Sequence, residues 1–200
     1  MGSLFPKHTI GQLEREGCIL AIQDGNHGEK HPTSKDYVSE GVPFLMASNV
    51  VNGQVDTGNC KFIPRSLADS LRIGFARPGD VLLTHKGSIG NVGIVPNGFD
   101  YVMLTPQVTY YRLDTKKLDN SFLAFAFRHP LFSDEMALVS AQSTRPYIGI
   151  TAQRHLAIYH PPLPAQRKIA SILSAYDDLI ENNTRRIAIL VKQRIAESHP

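Results

Sequence analysis

Three short stretches carry residue types that could do chemistry. His27-Gly28-Glu29-Lys30-His31 sets two imidazoles four residues apart, a spacing that can bind zinc when it lies on a helix. Asp24-Gly25-Asn26 before it and Pro32 after it predict a loop instead, and Gly28 stands where a metalloprotease has its glutamate. The same stretch reads as a polar surface turn or as a loop that meets a nucleic acid. Asn26, His27, Lys30, His31 and Lys35 crowd hydrogen-bonding groups into a short space. Thr84-His85-Lys86-Gly87-Ser88-Ile89-Gly90-Asn91 holds the Lys, Gly and Ser of a phosphate loop. The order is wrong for a Walker loop, and the strand-like run 92–95 follows where a helix belongs. The segment is therefore a glycine-assisted turn, or a hairpin that offers His85, Lys86 and Ser88 to DNA. Ser143-Thr144-Arg145-Pro146-Tyr147 is polar; Arg145 is either a solvated charge or a bidentate donor to guanine, with Thr144 beside it.

Enzymatic patterns are missing. There is no GxSxG elbow and no glycine-rich dinucleotide fingerprint. Cys18 and Cys60 stand singly, which fits a reducing cytoplasm and supports neither a disulfide framework nor a CxxC centre. The residues assign no catalytic group, no metal centre and no cofactor to this chain, and favour a binding module.

The elements that must position these stretches fall into two parts. All 15 glycines lie between Gly2 and Gly149, and Pro161-Pro162-Leu163-Pro164 opens a glycine-free tail. Proline fixes φ and suits a first helical turn, so the expected division is 1–160 and 161–200. In the tail Ile169, Leu173, Tyr176, Ile180, Ile187 and Leu190 recur at helical spacing, with Asn183 interrupting the stripe. A helix over 165–196 would be about 48 Å long, and its apolar seam calls for a helical partner.

The first part reads as mixed. Strands are expected at 43–47, 81–84, 92–95, 109–112 and 156–159, and helices at 66–73, with Ser66 as N-cap, and at 120–128. Without βαβ alternation the expected class is α+β, a β-rich domain followed by one long C-terminal helix. The 200 residues carry a net charge of +3, which permits a polyanionic partner without demanding one. No apolar run is long enough for a membrane-spanning helix, and Met1 to Lys7 has no secretory pattern, so a cytoplasmic protein is expected.

Read in order, several stretches resemble the specificity subunit of type I restriction–modification systems. They are Asp24-Gly25-Asn26-His27-Gly28, Gly79-Asp80-Val81-Leu82-Leu83-Thr84, Gly87-Ser88-Ile89-Gly90-Asn91-Val92-Gly93, Ser143-Thr144-Arg145-Pro146, and the run from Pro161 through Leu173 to Ile187. The resemblance implies a non-catalytic DNA reader, here with one target recognition domain and one helix, as a half-subunit or a fragment. It implies double-stranded DNA, methyltransferase subunits and an endonuclease–translocase subunit as partners. It also implies a second copy or second half paired through the long helix, and S-adenosylmethionine held by the methyltransferase rather than by this chain. Two other readings compete: the recognition module of a single-chain restriction–methylation enzyme, and a metal-dependent hydrolase.

Overall fold

The structure, a computed structural model, describes residues 5–141 and 147–198. Thr144 and Arg145 lie outside the described residues. The chain runs β1 (Lys7–Thr9), α1 (Ile10–Arg15), β2 (Ile19–Asp24), β3 (Val42–Leu45), β4 (Val50–Val51), β5 (Gln54–Val55), β6 (Lys61–Ile63), α2 (Arg65–Asp69) and β7 (Phe75–Ala76). It continues with β8 (Val81–Thr84), β9 (Val92–Ile94), β10 (Val102–Leu104), β11 (Val108–Leu113), α3 (Asn120–Arg128), α4 (Pro130–Ser140), α5 (Ile150–Gln153), β12 (Ala157–Tyr159) and α6 (Leu163–Ser198).

Two four-stranded sheets, β2-β11-β8-β9 and β6-β3-β10-β7, stack face to face. In the first, Val81 pairs with Tyr111 and Leu82 with Tyr110. Neighbouring side chains on a strand point to opposite faces. Val81 and Tyr111 therefore pack on Phe122, Phe127 and Phe132 of the helices, while Leu82 and Tyr110 meet Leu45, Val102 and Leu104 of the second sheet. Phe44 and Met103 turn outward onto Ala68 and Leu71 around α2. The layers are thus helices, sheet, sheet and short helix. Strands covered on both faces need apolar residues at successive positions, which is why 81–83 and 102–104 are unbroken apolar runs. The class is α+β, as expected.

Strand positions agree with the sequence reading to within a residue or two, and α3 coincides with 120–128, capped by Asp119 accepting from the Phe122 N–H at 2.9 Å. Ser66 is no cap. α2 starts at Arg65 after Pro64 and ends at Asp69, short of residue 73. Pro130 stops α3 and also starts α4, because its fixed φ suits a first helical position.

The two-stranded ribbon β1-β12 closes the base of the domain, with Lys7 opposite Tyr159 and His8 opposite Ile158. Beyond β12, the His160 N–H reaches the Pro6 carbonyl at 2.9 Å. Burial, with His8 nearby, pulls His160 below the usual histidine range.

Three residues later α6 begins. Its 36 residues extend about 54 Å. The first turns belong to the domain core: Gln166 is buried, donates to the Pro161 carbonyl at 2.8 Å and accepts from the Asp119 N–H at 2.9 Å. Ala170 joins the cluster around α3. Further on, Asp177 takes two bonds from Arg128, at 2.6 and 3.3 Å, and Glu181 accepts from Gln54 at 2.9 Å. Residues 166, 170, 174, 177 and 181 form one face at steps of three and four. Beyond Leu173, the helix touches its own domain through charged side chains.

One pH effect follows from α1. Glu14 accepts two bonds from Arg154, at 2.7 and 2.9 Å, and this pairing holds its carboxyl below the usual carboxylate range. The folded value lies below the unfolded one, so the contribution is complete above about pH 4.5 and is lost as pH falls through the folded value. Both side chains are partly exposed, so the effect is modest. Urea unfolding of Glu14→Gln is expected to lose less stability than the wild type between neutral pH and about pH 3. An unchanged acid loss would remove Glu14 from the account.

Candidate nucleic-acid interface

β2 ends at Asp24, β8 ends at Thr84, and β11 begins at Val108. Asp24 lies opposite Thr109 and Thr84 opposite Val108, so the loops that follow β2 and β8 leave the same end of one sheet. Gly25 makes the first exit possible: a Cβ there would lie 2.0 Å from the Thr105 carbonyl oxygen.

The loop residues expected to meet DNA divide sharply. His27, Lys30, His31 and Lys35 are exposed. Nδ1 of His27 is 3.0 Å from the Gly25 carbonyl, Lys30 donates to Ser70 Oγ at 2.7 Å, and the His31 ring sits edge-on to Phe44 at 5.9 Å. Asn26 is only 2% exposed. Its amide donates to the Lys30 carbonyl at 2.9 Å and its N–H to the Leu104 carbonyl at 2.8 Å, so its main role is to pin the loop. This corrects its placement among the reading residues.

His85 is corrected for a similar reason. It is fully buried, while Lys86 and Ser88 next to it are exposed. Nδ1 of His85 is 3.1 Å from the Ile148 carbonyl, and Nε2 is 3.2 Å from the Pro106 carbonyl and 3.7 Å from Asp24. A polar network continues from there. Thr109 Oγ1 donates to Asp24 at 2.6 Å, and Gln153 Nε2 reaches Thr109 Oγ1 at 3.0 Å and the Ile148 carbonyl at 2.7 Å. The Tyr111 hydroxyl, pushed well up in pKa by burial, donates to Gln153 Oε1. A satisfied buried network rigidifies what stands on it. Here that is the hairpin carrying Lys86 and Ser88, which Tyr147 joins by a bridge to Lys86, its ring 5.3 Å from that of His85. The bracing role of Asp24, Thr109 and Gln153 was not legible in the sequence, because their partners are remote along the chain.

Beside the first loop runs a groove of about 580 Å³ lined by Asn26 to Lys30 and Ser70 to Ile73. It brings exposed Arg72 next to His27 and Lys30. Arg72 was missed because nothing in its own neighbourhood marks it.

On α6, Ile169 packs against the core of its own domain, and Leu173 lines a small apolar pocket of about 140 Å³ with Phe122, Phe125 and Phe132. Ile169 is therefore withdrawn from the pairing stripe. Tyr176, Ile180, Ile187 and Leu190 are more than half exposed, Ile180 at 63% and Ile187 at 61%, and Asn183 lies among them, exposed. Among the described residues, no helix is long and apolar enough to cross a membrane.

A sheet-rich body with polar loops at one end and a long, mostly exposed helix at its base is the architecture of a restriction-system specificity domain. The model of the type I restriction modification DNA specificity domain matches residues 20–192, and the chain belongs to that family. It is 27% identical over 197 residues to the type I restriction enzyme MjaIX specificity subunit of Methanocaldococcus jannaschii, covering 94% of this chain and 44% of that one. The type I system S subunit from M. genitalium has a similar fold, with a TM-score of 0.60 at 17% identity, over 100% of this chain and 46% of that one. The HsdS subunit from Thermoanaerobacter tengcongensis gives 0.56 at 19% identity, over 95% and 40%. The chain spans less than half the length of these relatives.

Proposed function

We propose that this chain reads double-stranded DNA as one target recognition unit of a type I restriction–modification complex. It recognises rather than catalyses. What supports the reading, beside family membership, is one placement: exposed donors on two loops that leave a single sheet end braced from beneath by a buried polar network. Lys30, Lys35, Arg72, Lys86, Ser88, His27 and His31 are the contact candidates, Lys residues meeting phosphates and the remainder available to base edges. The long helix pairs with the same helix of a second copy or with a second half, holding two reading units apart on the duplex. Methyltransferase subunits bring S-adenosylmethionine, and an endonuclease–translocase subunit completes the complex.

The net charge of +3 is small for a DNA binder, so the isolated chain is expected to bind weakly and its partners to supply much of the phosphate contact. Fluorescence anisotropy on duplex DNA, with and without methyltransferase subunits, tests the reading. Lys86→Ala is expected to weaken binding evenly across sequences and to lower the salt slope by about 1. No binding to DNA in either setting overturns the proposal, and an unchanged slope removes Lys86 as a phosphate contact.

A further inference from the structure

The base of the domain, opposite in chemistry to the polar loop end, holds a cluster that recognition does not use. His8 comes from β1, Glu16 caps the C-terminus of α1, and His160 follows β12. Each offers one ligand atom, and the three lie within 4.8 Å of one another. It is the one such group of His, Cys, Asp and Glu among the described residues. His8 Nε2 is 4.0 Å from Glu16 Oε1, and the two imidazole rings stand edge to face at 5.1 Å.

Two features separate this cluster from an ordinary surface group. Nε2 of His160 is buried with no hydrogen-bond partner, and so is Nδ1 of His8, the ring nitrogen other than the one that approaches Glu16. A buried polar atom without a partner is destabilising, so its presence asks for a reason. The ribbon also fixes the pair. His8 faces Ile158, so His8 and His160 are diagonal neighbours on one side of β1-β12, and the His160 N–H bond to Pro6 holds that register.

We propose that His8, Glu16 and His160 bind a divalent cation of the zinc class and so clamp β1 and α1 to the root of the long helix. Two imidazoles and a carboxylate, with water as the fourth ligand, are an established zinc donor set. Ligand atoms about 2.0–2.2 Å from a tetrahedral ion stand roughly 3.4 Å apart, so side-chain adjustments of about 1 Å close the site. A competing charge is Lys117, whose ammonium donates to the Glu16 carbonyl at 3.0 Å; it is exposed and therefore screened. The ion would tie three segments that meet three residues before α6 starts, and so set the direction in which the helix leaves the domain. His27 and His31, whose spacing first suggested zinc, belong to no such cluster among the described residues.

The test uses the full chain stripped with a chelator and titrated with zinc chloride against a chromophoric competitor. One equivalent is expected to bind and to raise the unfolding temperature, and cobalt(II) in its place is expected to show the visible bands of a four-coordinate ion. Losing an outer-shell partner typically costs 10–100-fold in metal affinity, so His8→Gln or His160→Gln should cost at least about a hundredfold. Glu16→Gln changes only an exposed carboxylate, so it should stay folded by circular dichroism while losing most of the affinity and the thermal shift. His27→Ala with His31→Ala should bind as the wild type does. The proposal is overturned if the wild type retains no stoichiometric zinc, if Glu16→Gln binds undiminished, or if the His27 and His31 changes remove the binding.

Discussion

Replacing Arg112 by methionine lowers the unfolding free energy by about 3 kcal/mol, the low end for breaking a buried ion pair. Arg112 donates to Asp80 from Nε at 3.0 Å and Nη2 at 2.7 Å, and to the Phe75 carbonyl at 3.2 Å. Its guanidinium also lies over the Tyr110 ring at 4.9 Å. The Asp80 side chain is only 4% exposed, so removing the cation leaves a charge in a place where water cannot replace it. The Arg77 N–H remains at 2.7 Å from Asp80 and keeps the loss from being larger. This pair joins β11 of the first sheet to the β7 end of the second, so the two layers are expected to loosen together. Urea denaturation checks it. Arg112→Met combined with Asp80→Leu should recover much of the loss, since no orphan charge remains. A single-variant loss below about 1 kcal/mol would mean the pair behaves as an exposed one.

The second large effect concerns association rather than stability. Ile180→Glu with Ile187→Glu is expected to leave the unfolding temperature nearly unchanged and to abolish pairing through α6. Both side chains point away from the domain, so charging them costs the isolated chain little. In a symmetric pair the change touches four buried side chains, each contributing about 1.5–3 kcal/mol. A dissociation constant at least a thousandfold weaker follows, at about 1.4 kcal/mol per tenfold. Sedimentation velocity across concentration reads this directly. An unchanged association would show that copies meet elsewhere, and a wild type that stays monomeric at high concentration would remove the self-pairing reading. Leu173 is less clean as a probe, because it also lines the apolar pocket of its own domain.

The helix illustrates how much periodicity can and cannot say. Spacing alone marked an apolar stripe from Ile169 to Leu190. It could not say that Ile169 would be absorbed by the core around α3 while Ile180 and Ile187 stayed bare. That depends on where the domain surface ends along the helix, which the spacing does not contain. The same holds at the loop end. His85 and Lys86 are neighbours in a polar stretch, yet one is buried and the other exposed. Carbonyls from Pro106 and Ile148, brought in by other strands and turns, take the imidazole inward.

The sequence by itself determined the class of the fold, five of the twelve described strands, the long helix by its 3.6-residue period, and the family by an ordered set of short motifs. These are local properties, carried by residues a few positions apart. Tertiary structure alone decided which polar residues face outward, where Arg72 stands, that Asp24, Thr109 and Gln153 brace the loop end of the first sheet, and that His8, Glu16 and His160 meet. Each of these is a contact between segments remote in the chain. Burial and hydrogen-bond satisfaction are properties of such contacts, and residue type leaves them open.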